Sequence, residues 1–131
     1  MFAINYIPIS SNLDHPGDRR RFYGFAKKKG ITLSINKASA NKVSVITQNA
    51  DLSEISKNKI KYGKIIFDFC DGYLNEKISL KRIFRGTHKF ISGQNKHYNI
   101  SYLNLLKKVC SISDAIVCAS QIQMNVIKKY N

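Results

Sequence analysis

Residues 64–74 read KIIFDFCDGYL. The run is apolar enough for the centre of a sheet, yet it holds Asp68 inside and leaves through Asp71 and Gly72. A buried strand that opens into a polar loop is how open parallel sheets present ligands, which sit beyond the carboxyl ends of their strands. The stretch therefore reads as a central parallel strand, Lys64–Phe69, with a site at its exit.

Upstream of it, Asp51 and Glu54 have capping-box spacing, and Leu52, Ile55 and Ile60 fall within one arc. This predicts a helix running to Tyr62 and closed by Gly63. Before that, Ile31–Ile35 (ITLSI) and Lys42–Thr47 (KVSVIT) alternate as strands, with only the six residues Asn36–Asn41 between them. A crossover that includes a helix needs a dozen residues or more. Either this link is a stub or the two strands form a hairpin. Phe2–Ile9 reads as the first strand and Ser10–Gly17 as a loop. A helix follows from Asp18, with Phe22, Phe25 and Ala26 on one face and Gly30 at its C-cap.

Downstream, residues 75–97 are basic and weakly patterned, one short helix followed by a mobile loop. Ile100, Leu103, Leu106 and Cys110 mark a helix, and Ala115–Ala119 (AIVCA) a short buried strand. Ser120 with Gln123 repeats the capping box, opening a last helix with Ile122, Val126 and Ile127 inside. Strands alternating with helices make the chain, residues 1–131, a single α/β domain. It is Rossmann-like, with three α/β/α layers and a mostly parallel sheet. Right-handed crossovers give the strand order 3-2-1-4-5, with a crevice between the first and fourth strands.

Twenty-two Lys and Arg against eight Asp and Glu leave a net charge of +14. That excess favours anionic partners: phosphorylated ligands, an acidic membrane surface or nucleic acid. A general enrichment in Lys, Ile and Asn is the alternative source of the excess. Cys70, Cys110 and Cys118 form no CxxC pair and sit in apolar surroundings. They fit small hydrophobes in a reducing compartment, and no metal is expected. No apolar run approaches the roughly 18 residues that span a bilayer. A cytoplasmic protein is expected, with the inner membrane face as a peripheral docking place.

Asp18-Arg19-Arg20-Arg21 opens the first helix, and three arginines in a first turn oppose the helix dipole. With Gly17 beside them they suggest an anion site, against the alternative of arginines splayed into solvent. Asp68 is either a general base or a carboxylate that caps nearby amides or pairs with an arginine. Asp71, Gly72 and Tyr73 are the better candidates for ligand contact. His15, His88 and His97 fall in predicted loops and read as solvated. Lys81, Arg82, Arg85, Lys89 and Lys96, with Phe84 and Phe90 among them, suit a membrane interface or a phosphate-rich ligand.

Three segments together resemble the N-terminal, acceptor-side domain of GT-B glycosyltransferases of the group 1 type. ANKVSVITQNADLSEISKNKIKYGKIIFDFCDGYL is similar to the strand, helix, Gly-Lys and apolar strand ending in Asp-x-x-Asp of that domain. SISDAIVCASQIQMNVIKKYN resembles its aspartate, strand, Ser, helix and Lys-Tyr. NLDHPGDRRRFYGFAKKKGITLSI resembles the first loop and helix over the cleft. The resemblance implies a sugar-nucleotide-dependent transferase in which Gly17, Asp18, Arg19 and Arg20 line the cleft. Asp71, Gly72 and Tyr73 would stand near the acceptor, and Ser120 would close the helix facing a second domain. It implies no cofactor and names no catalytic residue, since the histidine often found beyond the fourth strand is replaced by Asp71-Gly72-Tyr73. The donor-binding second domain would follow Asn131, so these residues alone are expected to be inactive. Two other readings stay open: a stand-alone, non-catalytic α/β module for a nucleotide or other anionic partner, and a small nucleic-acid-associated protein.

Overall fold

The computed structural model describes residues 4–70, 80–99 and 101–130. Its elements are β1 (Ile4–Ile7), α1 (Pro16–Arg20), α2 (Phe22–Lys28), β2 (Leu33–Ile35), β3 (Val43–Thr47), α3 (Leu52–Lys57), α4 (Lys59–Tyr62), β4 (Lys64–Phe69), α5 (Leu80–Ile91), α6 (Tyr102–Ile112), β5 (Ala115–Cys118) and α7 (Gln121–Ile127). The five strands form one sheet in which every pairing is parallel. The chain is an α/β domain with helices on both faces of a parallel sheet.

The strand order is β2-β1-β3-β4-β5, not 3-2-1-4-5. Strands β2 and β3 do not pair with each other; both flank β1, so the hairpin alternative also falls. The reason lies in burial and reach. The short β2 is half-exposed along its length, which suits an edge, whereas β3 is buried from Ser44 to Thr47, which suits the middle. Residues 36–42 span about 24 Å when extended. Running back along a strand and stepping across two strand spacings needs roughly 20 Å. A helix would not fit, but an extended link does. It is pinned over β1 by Asn5, whose Oδ1 accepts from the Lys37 amide at 2.8 Å and whose Nδ2 donates to Ser44 Oγ at 3.1 Å. Gly63, at φ +65, backs onto the same link: a Cβ there would stand 2.1 Å from the Lys42 carbonyl oxygen. The point where the winding reverses is therefore between β1 and β3.

The two faces of the sheet differ. On one, Ile46, Ile65, Phe67 and Phe69 are fully buried against Leu52 and Ile55 of α3 and Leu105, Leu106 and Val109 of α6. Each such side chain contributes about 1.5–3 kcal/mol. On the other face, Tyr6 of β1 packs against Phe22 and Tyr23 of α2, with ring centroids 5.9 and 6.2 Å apart. That cover does not reach β5, where Val117 is 47% exposed. Strand β5 is thus a partly open edge rather than a buried strand. Ile122, expected inside α7, is 70% exposed, while Ile127 is buried.

Local chemistry explains the helix ends. The side chains of Asp51 and Ser120 accept from the amides of Glu54 and Gln123, as their spacing predicts. Gly30 takes φ +66 after α2. The first helix is broken in two at Arg21, whose backbone leaves the helical region at φ −111, ψ −134. The two pieces meet closely, because a Cβ on Gly24 would lie 1.8 Å from the Arg19 carbonyl oxygen. The segment after α5 is also more ordered than a mobile loop. Its Lys96 amide donates to Asp51 Oδ2 at 3.0 Å and its His97 amide to Ser53 Oγ at 3.1 Å.

Candidate functional site

The three arginines of DRRR go to three different places. Arg21 reaches across to β4, where its Nε donates to Asp68 Oδ1 at 2.8 Å and its terminal nitrogen binds the same oxygen. Asp68 is 4% exposed, and this bond is foremost among the causes that raise the Arg21 pKa. A carboxylate inside the buried strand β4 is thus the counterion of an arginine. Arg20 is exposed beside that pair, at the rim of a groove of about 430 Å³. Arg19 lines a separate groove of about 470 Å³ between the loop after β1 and the outer side of α2, with Tyr23, Lys27 and Lys28.

Asp18 does not face either groove. It is fully buried and accepts from Tyr6 Oη at 2.6 Å, the Ile9 amide at 2.9 Å, the Ser10 amide at 3.0 Å and Ser10 Oγ at 3.1 Å. Its carboxylate ties the exit of β1 to α1. Burial first, and then this carboxylate, pushes the Tyr6 pKa up. Gly17 is half-buried, and its amide donates to His15 Nδ1 at 3.0 Å, so the free-amide cradle expected for an anion is closed by a side chain. His15 is exposed, as its loop position suggests, and its side chain also caps the helix. His97, likewise read as solvated, lies 3.2 Å from Glu54 Oε2 through its Nε2.

The two grooves differ in what they can do. The larger runs along α2 beside the loop that follows β1, through Asn12, Leu13 and Asp14. The smaller lies against the uncovered part of the sheet, near the carboxyl ends of β4 and β5, where Asp68, Cys118 and the following Ala119 line it. Phe22, Phe25, Val45, Ile66 and Val117 form apolar walls, and Arg20, Arg21 and Asp68 supply charge. An apolar cleft of a few hundred Å³ with a few convergent polar groups is the usual form of a small-molecule site. Phe25 is 52% exposed, so an aromatic ring is available to a ligand. Ser120 caps α7 immediately beyond Ala119, at the edge of this region. Asp71, Gly72 and Tyr73 lie outside the described residues.

One polar group here escaped sequence reasoning. Thr47 pairs with Asp68 in the register of β3 and β4 and lies at the carboxyl end beside the switch point. It is 1% exposed, and its Oγ1 has no hydrogen-bond partner among the described residues. An orphaned buried hydroxyl is rare, because leaving it unpaired costs about 1–3 kcal/mol. The only sequence signal was a polar residue ending a mostly apolar strand. Nearby, Cys70 Sγ donates to Gln48 Oε1 at 3.2 Å. Cys110 is fully buried, which lifts its pKa to about 11, whereas Cys70 and Cys118 are half-buried. Among the described residues, no group of His, Cys, Asp and Glu is arranged to hold a metal ion, and no helix is long and apolar enough to cross a membrane.

Compared with protein-family models, with curated proteins and with solved structures, the chain finds no match.

Proposed function

We propose that this chain is the acceptor-side domain of a sugar-nucleotide-dependent glycosyltransferase, supplying acceptor binding and part of an interdomain cleft. The observation that carries the reading is the groove towards the carboxyl ends of β4 and β5, which Arg20 and Arg21 line together with apolar side chains. In glycosyl transfer, an acceptor hydroxyl attacks the anomeric carbon and a nucleoside diphosphate leaves. Both partners combine anionic or polar groups with flat or apolar bodies, which suits a cleft of this composition. Arg20 is exposed and available to a phosphate oxygen, while Arg21, held by Asp68, keeps the wall in place. The order of sequence motifs supports the same reading. In a transferase of this kind a second domain shares the nucleotide sugar, so binding is the readout that tests the reading on these 131 residues.

Thermal-shift titration with UDP, GDP and their sugar conjugates tests this, since a ligand of the native state raises apparent stability by mass action. The expected result is a nucleotide-selective shift that Arg20→Ala abolishes and Arg19→Ala spares. Absence of a shift with every nucleotide and sugar conjugate contradicts a site on this half.

A second reading, a stand-alone module for an anionic ligand, is favoured by the outer groove, where Arg19, Lys27 and Lys28 converge around Tyr23. A shift given equally by inorganic pyrophosphate, and lost in Arg19→Ala, supports that reading.

A further inference from the structure

Helix α5 is oriented contrary to the usual rule for a surface helix. Phe84 is 66% exposed and Ile91, seven residues and two turns further on, is 78% exposed. Phe90 and Tyr98 extend this surface at 43% and 52% exposure, their rings 5.6 Å apart edge to face. Meanwhile a lysine of the same helix turns inward: Lys89 Nζ sits 3.9 Å from the centroid of the Tyr102 ring on α6. A surface helix ordinarily buries its apolar stripe and solvates its lysines. Here large apolar groups look outward while a cation is spent on the body of the protein.

The position is fixed rather than accidental. The segment that follows α5 is stapled to the first turn of α3 by the Lys96 and His97 amides, and Asn95, 4% exposed, donates its amide to the Lys89 carbonyl at 3.0 Å. The helix is therefore held with Phe84, Phe90 and Ile91 presented.

We propose that this outer surface of α5 and Tyr98 docks the protein on an anionic lipid bilayer. Charge decides between the possible occupants. A second copy would set +14 against +14, which opposes pairing of like faces. A bilayer bearing anionic headgroups attracts that charge, and the sequence of α5 adds Lys81, Arg82 and Arg85. The interface also takes the apolar groups, since Phe and Ile enter the acyl boundary and Tyr sits at headgroup depth. Single-stranded nucleic acid would use the aromatic rings and the charge, but it offers nothing to Ile91. The inference stands apart from the glycosyltransferase reading, because lipid binding of this kind needs no nucleotide.

The chain contains no Trp, so Phe84→Trp gives a single fluorescent reporter. With vesicles of phosphatidylcholine containing phosphatidylglycerol, its emission is expected to shift to the blue and to be quenched by brominated acyl chains. Phosphatidylcholine alone should give little change. In co-sedimentation, Phe84→Ser with Ile91→Ser should lower the partition coefficient at least about tenfold. Its melting temperature should stay within a few degrees of the parent, since neither side chain is in the core. Any of three results would overturn the proposal: no blue shift with anionic vesicles, equal partitioning of the double variant, or a large loss of its thermal stability, which would place these groups inside the fold. Tighter binding to single-stranded RNA than to vesicles, unaffected by the double variant, would do the same.

Discussion

Arg21 and Asp68, 47 residues apart in sequence, meet where α1 and α2 join and β4 nears its end, and the arginine's Nε lies 2.8 Å from the carboxylate oxygen. The first helix is broken in two at this same arginine, and the pair lines the groove. It also explains why an acid stands inside the most apolar strand.

Removing either partner leaves the other charge without its counterion. Arg21→Ala is expected to cost roughly 3 kcal/mol, at the lower end for a buried pair because Arg21 keeps 22% of its side chain in solvent. The double variant with Asp68→Ala should cost clearly less than the sum of the single changes, measured by urea unfolding. Additive effects would show that the two charges are not coupled.

Asp18 gives a sharper test of what is structural in the DRRR segment. Asp18→Ala strands the Tyr6 hydroxyl and the amides of Ile9 and Ser10, at about 1–3 kcal/mol for each unpaired group. A total loss near 4 kcal/mol is expected, and Tyr6→Phe should lose less than half of that. Because the Tyr6 pKa is raised in the folded state, its stabilising effect is complete below the unfolded value of about 10 and is lost as pH rises beyond it. Alkaline titration of Tyr6→Phe should therefore show a flatter decline than the parent.

At the other edge of the sheet, Asp114 clamps β4 to β5: its amide donates to the Ile65 carbonyl at 2.8 Å and its Oδ2 accepts from the Ile65 amide at 2.9 Å. That backbone bond is the main reason its pKa is lowered. A depressed carboxylate pKa stabilises the fold above the unfolded value of about 4 and loses that contribution as pH falls through the folded value. Asp114→Ala should cost up to about 1 kcal/mol at neutral pH, limited because the side chain is largely solvated, and the deficit should shrink below pH of about 4. A deficit independent of pH would rule out the ionised carboxylate as its cause.

Gly24 allows the close meeting of α1 and α2, so Gly24→Ala must push Arg19 away. Its expected cost, about 2 kcal/mol or more, should come with weakened Arg21–Asp68 coupling in a double-mutant cycle. An unchanged coupling energy would separate the glycine from the ion pair.

Much of this fold was legible because its signals are local. The caps at Asp51 and Ser120, the stop glycines at 30 and 63 and the bounds of β4 all follow from residues within one turn of each other. The strand order was not legible, since the choice depended on whether residues 36–42 could cross β1 without a helix, and only the Asn5 anchor shows that they do. Burial at the edge misled for a related reason. Ala115–Cys118 and Ile122 are apolar, but α2 does not extend far enough to cover β5. The site was legible in place, at the exit of the Lys64–Phe69 strand, yet its polar members were only partly so. Thr47 offers no motif, and Arg21 finds Asp68 through tertiary geometry alone.

The most direct test of the account is an amide and methyl NMR titration of the chain with UDP- and GDP-sugars. The account predicts shifts concentrated at Thr47, Asp68, Cys118 and Ala119, with those of Lys27 and Lys28 unmoved. Shifts confined to residues 12–14, Arg19, Lys27 and Lys28, or none with any nucleotide sugar, would contradict a binding site at the carboxyl ends of the sheet.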